Sequence, residues 1–178
     1  MKLRGAVSPD TGEGVGAIPQ ESLAKRTHSL TNRPHPNPSP EGEGLRDLRF
    51  AGYAAIFDRI DKGGDIIRPG AFGDLPEGRS LPLLWQHDPL RQIGRVDYVR
   101  EDRRGLRVIG SVSTATRAGR EAAAMLSGAG VKGLSFGYRV TQAVGEKPRE
   151  LLDLDVAEIS LVSFPMQDLA RVHLVQQT

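Results

Sequence analysis

The ten residues Val131 to Val140 alternate so strictly that only an extended strand satisfies them: Leu134, Phe136, Tyr138 and Val140 fall on one face, Gly133, Ser135, Gly137 and Arg139 on the other. A helix would scatter the apolar set around its axis. The same two-residue period returns at residues 48–57, 93–99, 106–112 and 150–162, the last with Leu152, Leu154 and Val156 as its apolar face, and glycine or proline turns separate these runs. A chain made of such runs must pair them into a sheet whose apolar side is covered. The expected class is therefore mainly β with flanking helical structure.

One segment breaks the period. After Thr114 and Thr116, both suitable N-caps, residues 117–127 place Ala118, Ala122, Met125 and Leu126 at helical spacing. Gly128 and Gly130 stop this helix and hand the chain to the Ser135 strand. Its stripe either covers the sheet or meets a second copy of the chain, and cover is the favoured reading. Residues 1–45 differ again. They hold no aromatic residue, and Pro34 to Pro40 alternates proline with polar residues. The expectation is a disordered tail over 1–45, with at most a weak helix at 21–26, followed by one folded domain over 46–175.

Composition narrows the chemistry. The chain has 178 residues with no cysteine, which removes disulfides and thiolate metal ligands. Basic residues exceed acidic ones by a net charge of only +2, with the signs interspersed, so no nucleic-acid footprint is expected. No apolar run approaches the ~20 residues of a membrane span, and no secretory signal is apparent.

Three residues stand out as candidates. Ser135 lies between two glycines, and strand glycines mark places where another group must come close. His87 ends the apolar run Leu81 to Trp85, just before Asp88-Pro89, which reads as the start of a turn. A histidine leaving the core there has a wall on one side and an open mouth on the other, which suits a general base. Asp88 is not its expected partner, since adjacent strand residues face opposite ways. Glu158 lies among small and apolar residues, and its carboxylate either orients a histidine or pairs with an arginine. His173 alternates with Val172 and Leu174 and reads as exposed.

Six short strings occur in order: Phe50 to Ala54, Arg68 to Phe72, Leu83 to Asp88, Ile93 to Val96, Gly133 to Tyr138, and Glu158 to Pro165. Together, over about residues 48–170, they resemble the prohead maturation proteases of tailed bacteriophages, the HK97-like family. The resemblance implies a β-barrel like that of the herpesvirus assemblins. It also implies a serine endopeptidase with Ser135 as nucleophile, His87 as general base and Glu158 as the carboxylate that orients it. Asp153 and Asp155 remain alternatives for that last role. By resemblance the enzyme needs no cofactor or metal. It would act in the bacterial cytoplasm inside the assembling prohead of a phage, prophage or gene transfer agent. Its substrates would be the major capsid protein or a scaffold, and itself, with a homo-oligomer possible.

Three rival readings compete. One is a non-catalytic β-barrel that assists shell assembly. Another is a metal hydrolase using His87, Asp88 and His173, whose spacing matches no established ligand motif. The third is an α/β-type esterase, because Gly133-Leu134-Ser135-Phe136-Gly137 formally satisfies G-x-S-x-G. That motif requires a strand-turn-helix context, whereas the residues after Ser135 keep the β period.

Overall fold

A computed structural model describes residues 46–178 apart from 74, 76 and 77. The proline-rich stretch 1–45, its weak helix at 21–26 and most of the expected turn at 76–78 lie outside the described residues. Eight strands and one helix follow in the order β1 (Leu48–Ile56), β2 (Asp65–Ile67), β3 (Leu81–Trp85), β4 (Asp88–Glu101), β5 (Gly105–Val112), α1 (Arg117–Ser127), β6 (Gly133–Val144), β7 (Arg149–Val162) and β8 (Val172–Gln177).

Hydrogen bonding places the strands in the order β2-β7-β3-β4-β5-β1-β8, with β6 on the other edge of β7. The start of β6 in turn meets β8 and the residues just before it. Leu134 N–H donates to Ala170 O at 2.9 Å, Val172 N–H donates to Lys132 O at 2.8 Å, and Gly133 bridges Arg171. The sheet thus closes into a barrel, which leaves few open edges. Its interior is filled by the alternating positions the sequence marks, among them Phe50, Leu83, Ile93, Val96, Val108, Leu134, Val156 and Ile159. Helix α1 lays Gly119, Ala122, Ala123 and Leu126 against this core, and Thr116 Oγ1 caps it by accepting from Gly119 N at 3.0 Å. Met125 turns outward instead and is 45 % exposed. The stripe therefore covers the barrel, one position round from the expected set.

Two other expectations shift. Asp88-Pro89 does not open a turn: it begins β4, with Asp88 opposite Trp85. The turn is the pair Gln86-His87 before it. Along β7, Leu154 and Val156 point inward as expected, but Leu151 is the core residue at its start and Leu152 is only half-buried. Register shifts between β6 and β7 near Gln142 and Tyr138 explain this, because each bulge moves the inward set by one position. Pro82 is tolerated inside the sheet because parallel pairing of β3 with β7 begins only at Leu83.

Candidate active site

β7 runs between β6 and β3, and this arrangement assembles the site. Antiparallel pairing sets Ser135 opposite Ser160 and Gly137 opposite Glu158. Directly paired residues share a face, so these four positions form one small patch of sheet. Parallel pairing sets Leu83, Leu84 and Trp85 beside Ile159, Ser160 and Leu161. The turn that ends β3 therefore arrives over the same patch.

Gln86 and His87 form that turn with φ of 54° and 61°. Two consecutive left-handed residues are what a two-residue hairpin of this hand needs, and asparagine or glycine usually supplies them. Here glutamine and histidine do so, at a cost of about 1 kcal/mol each. β7 and the residue after it hold them in place. Gln86 N–H donates to Leu161 O at 3.0 Å, and His87 N–H donates to Ser160 Oγ at 3.1 Å. The Gln86 side chain donates from Nε2 to Ser163 Oγ at 2.8 Å.

The imidazole so placed meets a carboxylate. His87 Nδ1 lies 2.6 Å from Glu158 Oε1. An ionised carboxylate can only accept, so Nδ1 carries the proton, and in the neutral ring Nε2 keeps its lone pair. The second carboxylate oxygen accepts from Ser160 Oγ at 2.7 Å. Ser160 is fully buried and thus ties the histidine backbone to the carboxylate that holds the histidine ring. The Glu158 side chain is 12 % exposed and that of His87 43 %, so the pair is walled below and open above. Gly137 makes room: a Cβ there would stand 2.6 Å from Glu158 Oε1. The glycine after the serine marks the close approach that strand glycines signal, and the approaching group is this carboxylate.

The other carboxylates are engaged elsewhere. Asp153 accepts from Thr141 Oγ1 at 2.6 Å, and Asp155 pairs with Arg139 at 3.4 Å. Asp88 Oδ1 accepts from Leu90 N at 2.9 Å. Arginine pairing, the other reading for Glu158, falls instead to Asp65 with Arg149 and Glu150 with Arg68. His173 packs edge-on against Tyr53, with ring centroids 6.0 Å apart. Burial is the main cause that holds its pKa below the ordinary value, and Arg104 and Arg171 add to it.

Ser135 is 9 % exposed. Its hydroxyl has no hydrogen-bond partner among the described residues. It belongs to the wall of a pocket of about 80 Å³ shared with Ala54, Ile67, Phe136 and Tyr138. The fold thus brings His87 and Glu158 into contact, with Ser135 across the strand pair from them.

Comparison with known proteins agrees with this frame. The sequence model of the caudovirus prohead serine protease family matches residues 38–178. The chain belongs to that family. The prohead protease of Enterobacteria phage HK97 is 28 % identical over an alignment of 138 residues that covers 74 % of this chain and 61 % of that protein. This prohead protease relative therefore spans about three-fifths of the HK97 protein's length. Among solved structures, the protease of Kaposi's sarcoma-associated herpesvirus, in complex with a hexapeptide phosphonate inhibitor, superposes with a TM-score of 0.55. The two are 14 % identical, and the match covers 75 % of this chain and 66 % of that one. The herpesvirus protease fold is therefore the fold of this chain.

Ser160, Gln86 and Ser163 had escaped the sequence reading. For Ser160 a signal was present: two residues after Glu158 in a strand is the same face, and a hydroxyl there is within reach of the carboxylate.

Proposed function

We propose that this protein is a serine endopeptidase of prohead maturation, with Ser135 as nucleophile, His87 as general base and Glu158 as the orienting carboxylate. The observation that carries the reading is the 2.6 Å contact of His87 Nδ1 with Glu158 Oε1, made on the strand that pairs with the Ser135 strand. A serine hydroxyl is a poor nucleophile until a base takes its proton, and a carboxylate on Nδ1 leaves Nε2 free to do so. As Ser135 Oγ bonds to the substrate carbonyl carbon, its proton passes to His87 Nε2. The same proton then goes to the departing amine as the peptide bond breaks. Water, deprotonated by His87, releases the acyl group and restores the hydroxyl.

The substrates in this reading are the scaffolding segment of the major capsid protein, or a separate scaffold, and the protease itself. Cleavage would occur within the closed prohead before DNA packaging. No helix among the described residues is long and apolar enough to cross a membrane, and the reading needs none.

The test is co-expression of the full chain with the major capsid protein of its own locus, with intact masses recorded for the native protein and for Ser135→Ala. A capsid protein shortened only in the presence of Ser135 is the expected result. Full-length capsid protein in both samples, with shells assembled, would replace the enzyme by a non-catalytic assembly factor.

A further inference from the structure

The barrel wall opposite β7 carries an ordered surface that the chemistry at His87 and Glu158 does not use. Round the barrel, β5 and β1 are the strands furthest from β7, and their pairing with β4 and β8 sorts the outward side chains into rows. One row across the four strands is Arg95, Ser111, Arg49 and Gln176. The next is Tyr98, Ile109, Ala51 and Leu174, and the one after that is Arg100, Arg107 and Tyr53. A largely apolar band thus runs between two basic ones. Tyr98 is 38 % and Leu174 61 % exposed, and the arginines of both rows are exposed. Arg104 joins them from the turn, its guanidinium 4.8 Å from the centre of the Tyr53 ring. Two acids stand among them: Asp97 pairs with Arg95 at 2.9 Å, and Asp102 accepts from Tyr53 Oη at 2.6 Å. No carboxylate pairs with Arg49 among the described residues, and Arg107 acts on Asp102 only as a nearby charge. The arginines of this face outnumber its aspartates by three, whereas the whole chain has a net charge of only +2.

Guanidinium groups on either side of an apolar band suit a partner with carboxylates on either side of an apolar anchor. The basic rows are set four residues apart along β1, about 13 Å at the rise of a strand, and the partner's carboxylates need the same separation. Ala51 is the smallest side chain of the middle row and leaves a step for the anchor between Ile109 and Leu174. Nucleic acid fits less well. Bases need open aromatic faces to stack on, yet Arg104 lies over Tyr53, Arg100 lies over Tyr98, and the rest of the middle row is aliphatic. Residues 1–45 hold basic and acidic residues in equal number, so the chain's own N-terminal stretch brings no complementary charge. We propose that the outer face of β4, β5, β1 and β8 docks an acidic segment of another polypeptide, in which carboxylates bracket an apolar anchor. His87 and Glu158 lie across the barrel from this face, so a docked molecule keeps its site open.

The probe is a fluorescein-labelled peptide with glutamate clusters on both sides of a central leucine pair, titrated with the full chain and read by anisotropy. Its controls are the same peptide with glutamine for glutamate, the same peptide with serine for leucine, and a labelled single-stranded oligonucleotide of equal charge. The glutamate peptide is expected to bind about tenfold tighter than either peptide control, and tighter than the oligonucleotide. Arg49→Glu and Arg107→Glu reverse exposed charges on the two basic rows, and each is expected to weaken binding of the glutamate peptide about tenfold. Lys147→Glu, a reversal in the turn between β6 and β7, is expected to leave it unchanged. Equal affinity for the glutamate and glutamine peptides in the native protein, a comparison that needs no variant to fold, would overturn the proposal. So would an affinity that survives the exchange of leucine for serine, since the apolar band would then be unused. An effect of Lys147→Glu as large as that of Arg49→Glu would reduce the binding to overall charge and overturn it too. Tighter binding of the oligonucleotide, lost in Arg49→Glu, would give the face to nucleic acid instead.

Discussion

The barrel contains two tight turns on either side of β4, and they are built on opposite principles. The turn between β4 and β5 is held by its own residues. Asp102 Oδ1 accepts from Arg104 N at 2.8 Å and Gly105 N at 3.3 Å, which is the local chemistry by which aspartate favours turns. The turn between β3 and β4 has no such chemistry. Its two residues sit at positive φ without being glycine or asparagine, and strand β7 and Ser163 supply the bonds that keep them there. A turn that is locally satisfied serves the fold. A turn that is locally strained and held from a distance marks a side chain whose position matters more than the turn's own stability, here His87.

The comparison breaks most completely at Glu158. Glu158→Gln replaces an acceptor-only group by an amide that can donate, so the imidazole loses the partner that fixes its tautomer. The expected outcome is a fall in kcat of about 10²- to 10⁴-fold, the scale seen when a triad carboxylate is neutralised. KM is expected to change little. A kcat within a few-fold of native would remove Glu158 from the site and leave His87 positioned by its turn alone.

A smaller effect is expected at Ser160. It touches neither substrate nor reacting atoms and is a positioning residue, joining His87 N to Glu158 Oε2. Ser160→Ala removes both bonds from a buried position and adds no bulk. We expect kcat to fall about tenfold or more, with KM and the far-UV spectrum unchanged, since a bond to a charged group contributes about 1.5–3 kcal/mol. A purely structural role predicts the reverse: a lower melting temperature with kcat intact.

The two turns also show what could be read from the sequence. The barrel strands were legible because each repeats its period over several residues, and the β4–β5 turn because Asp102 and Gly105 are themselves turn formers. Glu158 was legible as a carboxylate among apolar residues, but the residues alone left its partner open, and only the family resemblance named His87. The choice between histidine and arginine depends on β3 running parallel to β7, which brings together a histidine and a glutamate 71 positions apart without a local mark. The Gln86-His87 turn was misplaced by two residues for a related reason. Asp88-Pro89 is the stronger turn signal locally, and only the register with Ser160 and Leu161 forces the bend earlier. Leu152 was misread because bulges cannot be seen in one strand taken alone.

The self-contained turn supplies the weakest and sharpest contrast. Asp102 accepts from Tyr53 Oη at 2.6 Å as well as from the two amides. Burial pushes its pKa upward, but these three donors and the Arg107 charge outweigh it, and the carboxyl is held below its ordinary value of 3.8. A group whose pKa is lowered by folding stabilises the native state above its unfolded pKa, and that contribution is lost as the pH falls through the folded pKa. Asp102→Asn keeps an acceptor but has no charge to titrate. The native protein is therefore expected to exceed it by about 0.5 kcal/mol near neutral pH, the scale of an exposed charged contact. The difference should shrink as the pH drops below about 4, the ordinary carboxyl range. Thermal melts of both proteins across pH 2–7 would measure it, and cleavage of the capsid protein should be the same in both. A gap that persists at pH 2 would mean that the amides, and not the charge, hold this turn. A loss of cleavage would mean that the two turns are coupled through β4, and the contrast between them would no longer stand.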